Sequence, residues 1–144
     1  MKKSEQAYKL YGNPAGDSVK DHLKLFTIPS EITEKIPVFP KRIYCNRALF
    51  PKLIEALNLI ILRGLENEIK SFDGCYNVRK VRGYNDIWSL HSWGIAIDIN
   101  AKTNGLGVIG DMSKELVLCF ETAGFDWGGN FTRKDGMHFE LSKL

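Results

Sequence analysis

Residues 89–100, SLHSWGIAIDIN, place Asp98 inside an alternating run of isoleucines, Ile95, Ile97 and Ile99. Side chains along a strand point to opposite faces with a period of two, so the isoleucines can enter a core while Ala96, Asp98 and Asn100 share the other face. The stretch predicts a strand that presents a carboxylate from a rigid element. The same device closes the chain, where Met137, Phe139 and Leu141 fall on one face and His138 and Glu140 on the other. Any fold must bury one side of both strands and leave the polar side available.

The rest of the chain supplies what can cover such strands. Leu53, Leu57, Ile60, Ile61 and Leu65 recur at three- and four-residue spacing behind Pro51, which suits a first helical turn. This predicts an amphipathic helix that forms core. A second helix is expected from Asp111 or Ser113, either of which could cap it, burying Leu116, Val117 and Phe120 and ending at Gly124. Alternation from Tyr76 to Val81 predicts a further strand carrying Arg79, before a polar loop over Gly83 to Asp86. The first forty residues hold Gly12, Pro14, Gly16, Pro29, Pro37 and Pro40, and are expected to wrap irregularly over the domain. With 144 residues and no interdomain linker, one domain is expected, with residues 1–40 as the wrap and 41–144 as the core.

Composition narrows the function little. The net charge of +3 is spread along the chain and not clustered, so no nucleic-acid partner is expected. Cys45, Cys75 and Cys119 are odd in number and form no CxxC pair, which suggests neither a disulfide framework nor a thiolate zinc knuckle; reduced, buried thiols are expected. The opening MKKSEQAYKLYGNP has the lysines of a signal peptide without the apolar run that must follow them. No segment approaches the roughly 20 apolar residues needed to span a bilayer. The expectation is synthesis in the cytoplasm, no membrane insertion and, if the protein leaves the cell, another route out.

His91, Asp98 and His138 form a plausible zinc ligand set. Zinc takes imidazole nitrogen and carboxylate oxygen, and catalytic sites commonly use three protein ligands with a fourth position for water. Two neutral imidazoles and one carboxylate leave a formal charge of about +1, which helps lower the pKa of that water toward about 7. A hydrolase also needs a base beside the metal. Asp135, three residues before His138 across an Asp-Gly turn, is favoured by position; Glu140 could instead be the base, or could orient a ligand ring. A fixed cation is expected for the substrate carboxylate or the developing oxyanion, and Arg79 is preferred to Arg82. Trp93, Trp127 and Phe131 are packing residues or walls of the site, and His22 has no partner motif.

Ser89-Leu-His91-Ser-Trp-Gly94-Ile-Ala96-Ile-Asp98 resembles the SxHxxGxAxD motif of the VanY-type D-alanyl-D-alanine carboxypeptidase and L-alanyl-D-glutamate endopeptidase family of zinc peptidases, and Asp135-Gly-Met-His138-Phe-Glu140 resembles its second motif. The resemblance covers roughly residues 40 to 141, and the YGNP segment is similar to openings of phage and prophage members. It implies zinc held by His91, Asp98 and His138, Asp135 as catalytic base, and a compact α+β fold with a small antiparallel sheet flanked by helices, shared in outline with the Hedgehog signalling domain. It also implies that the family's substrate arginine maps to Arg79, with Arg82 as the other candidate, and that Ser89 lines the site. Trp93 and Trp127 are expected as substrate-binding walls, and Glu140 as a neighbour of the ligands. GFDWGGNF is similar to a GFxWGGxW segment of related lysins, with Phe131 in place of the second tryptophan.

The implied activity is cleavage of peptidoglycan stem peptides by a monomer, most specifically of the L-alanyl-D-glutamate bond, as a phage or prophage endolysin that reaches the cell wall after release from the cytoplasm. A D,D-carboxypeptidase or D,D-dipeptidase is the alternative within the class. A noncatalytic wall-binding or virion module that keeps zinc for stability is the alternative outside it.

Overall fold

The computed structural model describes residues 1–144. It is an α+β structure of four helices with antiparallel sheets of two and four strands. Helix α1 (Lys3–Tyr11) is followed by β1 (Leu23–Thr27), α2 (Ser30–Lys35), β2 (Arg42–Asn46), α3 (Leu49–Leu62) and β3 (Phe72–Gly74). Strand β4 (Ala96–Ile99), α4 (Lys114–Ala123), β5 (Phe125–Trp127) and β6 (His138–Leu141) complete the chain. Strands β1 and β2 pair with each other, and the larger sheet has the order β3-β4-β6-β5.

The larger sheet realises the period-two pattern. Ile97 and Ile99 on β4 and Phe139 and Leu141 on β6 are buried on one face, joined by Phe125 of β5. Helix α4 covers that face: Phe120 stacks on Phe139 with ring centroids 4.1 Å apart and meets Phe125 edge-on at 5.6 Å. The opposite face carries Asp98, His138, Glu140 and Asp126, with Asp98 paired to His138 and Glu140 to both Ala96 and Asp126. One cluster of buried apolar side chains extends from Ala7 to Leu141 and underlies both sheets.

The helices follow from local signals. Ser113 caps α4, its Oγ accepting from the Leu116 amide at 3.1 Å, and Gly124 ends it in the left-handed region at φ 108°. Pro51 lies in the first turn of α3, where a missing N–H leaves no helical bond unmade, and Leu49, Leu53, Ala56, Leu57 and Ile60 form the buried stripe. Ile61 is half-buried and Leu65 lies past the helix end.

Two expectations need correction. Residues 1–40 are not an irregular wrap: they contain α1, a short 3₁₀ turn over Ser18–His22, β1 and α2. The turn formers sit between these elements and not within them. Residues 76–81 are not a strand either. The strand lies earlier, at Phe72–Gly74, and only an isolated bridge joins Lys80 to Trp88. Local side-chain bonding replaces the ladder there, since Ser92 Oγ accepts from the Arg79 amide at 3.1 Å and donates to the Arg79 carbonyl at 2.9 Å.

Gly94 joins the two sheets. Its carbonyl accepts from the Asn46 amide at 3.1 Å, its φ is 67°, and a Cβ there would lie 2.8 Å from Asn46 N and 2.9 Å from Leu23 Cδ2. Gly94→Ala is expected to lose several kcal/mol of stability, combining a left-handed penalty of about 1–2 kcal/mol with overpacking of about 1–3 kcal/mol. A lower urea midpoint with unchanged slope would register it; an unmoved midpoint would show that the β2 backbone gives way freely.

Candidate metal centre

The two motifs deliver their side chains by different routes. His91 lies in a 3₁₀ turn over Leu90–Trp93 that Ser89 caps, its Oγ accepting from the His91 amide at 3.3 Å. Asp98 and His138 are direct cross-strand partners on β4 and β6. The flanking backbone bonds run through Ile99 to Met137 and Leu141 to Ile95, so Asp98 and His138 form a pair that exchanges no backbone bond. In such a pair the side chains stand closest together.

His91 Nε2, His138 Nδ1 and an Asp98 oxygen converge. His91 Nε2 is 3.1 Å from Asp98 Oδ1, His138 Nδ1 is 3.4 Å from the same oxygen, and the two ring nitrogens are 3.3 Å apart. Ligand bonds of about 2.0–2.1 Å at tetrahedral angles separate donors by about 3.3–3.4 Å, so this triangle has the size of a zinc face.

The protonation pattern makes the same point. His91 Nδ1 is 2.7 Å from the Cys75 carbonyl, which can only accept, so that nitrogen carries the proton and Nε2 offers a lone pair. His138 Nε2 lies 2.9 Å from Glu140 Oε1, which leaves Nδ1 as the lone-pair atom of the neutral ring. With both rings neutral, two imidazole lone pairs and a carboxylate thus face one point. Without a cation or an added proton this arrangement is repulsive; with a divalent ion each donor is satisfied, and each ring is oriented from behind.

Charge distribution agrees with this. Burial would raise the Asp98 carboxyl, but hydrogen bonds with His138 and His91 hold it well below the usual carboxylate range. Burial would lower His138, yet its bonds to Asp98 and Glu140 prevail and raise it to about 9. His91 is 3 % exposed and His138 7 %, so solvent does little to relieve either.

A cavity of about 410 Å³ opens on this cluster, and its wall includes Asp98, Asp135, His138 and Glu140. Asp135 is half-buried, and burial pushes its carboxyl above the ordinary value, with Asp98 acting in the same direction while His138, His91 and Arg79 oppose. Its position is fixed from the backbone: the Asp135 amide donates to the Gly128 carbonyl at 3.0 Å, and the Asp135 carbonyl accepts from the His138 amide at 3.1 Å. Gly128 has to lack a side chain, because a Cβ would collide with the Asp135 carbonyl and sit 3.1 Å from His138 Cβ.

The remaining candidates divide. Arg79, Arg82, Ser89 and Phe131 line the cavity. Glu140 meets the far nitrogen of His138 and so stands behind the ligand ring. Trp93 is a correction: it is fully enclosed, its indole nitrogen donates to the Gly12 carbonyl at 2.8 Å, and it has no surface to offer a substrate. Trp127 is also outside the wall; its indole donates to the Gly136 carbonyl at 2.8 Å and braces the Asp135-Gly136 turn. His22 packs edge-on against Tyr11, away from the cluster. Cys45, Cys75 and Cys119 are free and buried.

Sequence reasoning missed several participants. The Cys75 carbonyl that holds His91 has no side-chain signature. Lys2 and Lys3 reach the cavity from α1 and the residue before it, and nothing in KKSEQ marks them apart from other surface lysines. Arg133, which lines the cavity with its guanidinium 5.4 Å from the Tyr84 ring centroid, stands two residues before Asp135, and that adjacency was a usable signal.

Residues 82–141 match the sequence profile of a family described as D-alanyl-D-alanine carboxypeptidase. The matched segment contains all three candidate ligands together with Asp135 and Glu140; Arg79 and the α1 lysines lie outside it. No curated protein and no solved structure matches the chain. No helix is long and apolar enough to cross a membrane. The match and the His91, Asp98 and His138 cluster together mark the chain as a metallopeptidase that is similar, over residues 82–141, to the D-alanyl-D-alanine carboxypeptidase family.

Proposed function

We propose that the protein is a zinc-dependent peptidoglycan peptidase that cuts within the stem peptide, at the L-alanyl-D-glutamate bond, as a phage or prophage endolysin. The observation that carries the hydrolytic part of this reading is the convergence of three lone-pair donors on one point, two of them from Asp98 and His138 of the cavity wall, with the Asp135 carboxylate in the same wall. A zinc ion held there would supply Lewis acidity and a bound water acidic enough to ionise near neutral pH. Asp135 then takes the proton of the attacking water and passes it to the leaving amine. Burial favours this role by raising the affinity of its carboxylate for a proton. Arg79 and Arg82 hold the substrate, as carboxylate or developing oxyanion, through their planar forks.

Cutting within the peptide is supported by how the cations are distributed. Arg79 acts on Asp135, Arg133 lies over Tyr84, and Lys3 is tied to Glu140. Arg79, Arg82 and Arg133 all line the cavity, and three guanidinium groups suit a peptide that carries more than one carboxylate. Release from the cytoplasm onto the wall, through an opening made by another agent, belongs to the same proposal.

Mass spectrometry of muropeptides after digestion of purified sacculi tests the choice of bond. Stem peptides cleaved after L-alanine are expected. Loss of terminal D-alanine alone would replace the endopeptidase reading by D,D-carboxypeptidase.

A further inference from the structure

Glu140 is 8 % exposed, and its two oxygens are used in opposite directions. Oε1 lies 2.9 Å from His138 Nε2, while Oε2 accepts from Lys3 Nζ at 2.7 Å. Lys3 Nζ also donates to Asp126 Oδ2 at 2.6 Å, and the other Asp126 oxygen accepts from Ser142 Oγ at 2.8 Å. Asp126 and Glu140 are register partners on β5 and β6, so one ammonium bridges two neighbouring strands on the face of the sheet that carries Asp98 and His138. The other end of α1 is fastened as well, because the Gly12 carbonyl that follows it accepts from Trp93 Nε1 at 2.8 Å. Trp93 belongs to the same short turn as His91. Helix α1 thus grips the second motif through Lys3 and the first through Gly12, although it lies outside the family-matched segment.

A ligand histidine keeps its ring plane only if the group behind it is held in place. A glutamate has three side-chain torsions, and a single bond to an imidazole leaves it free to swing about that contact. Tethering its second oxygen removes this freedom. The geometry points to Lys3 as a positioning residue for the metal: through Glu140 it locks the His138 ring with Nδ1 turned into the cluster, making α1 a working part of the site. The inference rests on the metallopeptidase reading above.

Zinc titration of the metal-stripped full chain, by competition with a chromophoric chelator, tests it. Lys3→Met is expected to weaken zinc binding by about 10-fold, at the lower edge of the 10–100-fold range for losing a group that orients a ligand. Lys3→Arg, which keeps the charge, is expected to restore most of that loss. The decisive arm is a double-mutant cycle: if Lys3 acts through Glu140, Lys3→Met combined with Glu140→Gln binds zinc no more weakly than Glu140→Gln alone.

Equal zinc affinity in Lys3→Met and the native chain overturns the inference while leaving the metal site intact. So does full additivity in the cycle, which would reduce Lys3 to a separate structural tie. Absence of zinc binding by the native chain overturns the inference and the metallopeptidase reading together. Should Lys3→Met fail to fold by circular dichroism, Asp126→Asn frees Lys3 from its other partner, and zinc affinity kept within twofold is then the expected result because the Glu140 tether remains. A tenfold loss there would show that the grip on β5, and not the tether to Glu140, sets the affinity.

Discussion

Asp135→Asn is expected to lower kcat for hydrolysis of purified sacculi by about 10²–10⁴-fold, the usual worth of a positioned general base, with metal content unchanged. Asparagine has the same shape and can keep the backbone bonds that hold the turn, since these run from the amide and carbonyl of residue 135 to Gly128 and His138. It cannot take up the proton that the attacking water must lose. None of the three converging donor atoms belongs to Asp135, so zinc affinity has no reason to follow activity. Undiminished lysis by this variant at normal zinc content would remove Asp135 from the chemistry and pass the role of base to another group such as Glu140, whereas a native chain that binds zinc and lyses nothing would be the noncatalytic, zinc-stabilised module.

His91→Ala should abolish both metal retention and hydrolysis. Of the two histidines it is the cleaner choice, because its outer nitrogen meets only the Cys75 carbonyl, whereas His138 also anchors Glu140. Removing one of three donors is expected to cost more than the 10–100-fold in affinity typical of losing an orienting neighbour, and a competition titration would read it directly. The pH dependence has a defined sign. Metal and proton compete for His138, whose pKa without the ion is raised to about 9 by Asp98 and Glu140 against the effect of burial. Apparent zinc affinity should therefore rise with pH toward that value and fall as the solution becomes more acidic. Unaltered zinc affinity in His91→Ala would mean that the ion is held elsewhere.

Legibility in the sequence followed how local the determining interactions are. The β4 and β6 alternation, the Ser113 cap and the Gly124 stop are written in neighbouring residues, and the structure uses each of them. The ligand triangle was legible because two of its members sit on strands of fixed period. Helix α1 was not, since KSEQAYKLY buries only Ala7 and Tyr11 and is held in place by Trp93 and Glu140, both more than eighty positions away. Residues 76–81 misled for the opposite reason: their alternation was real, but Asn77 and Arg79 bond to the His91 turn and not to a neighbouring strand. Residue type does not separate a packing tryptophan from a wall of the site, and only the fold reveals that the indole nitrogens of Trp93 and Trp127 both donate to backbone carbonyls.

The pairing of Asp98 with His138 across β4 and β6 also limits how this protein could be redesigned. A residue inserted into either strand would turn every side chain beyond it to the other face, sending a carboxylate or an imidazole into the packed layer around Phe120 and Phe139. Shortening or lengthening those two strands by a single residue is thus closed to an engineer who wants a different ligand set or a wider groove. Point replacements on the polar face, and edits to the connections that frame it, are the changes the architecture leaves open.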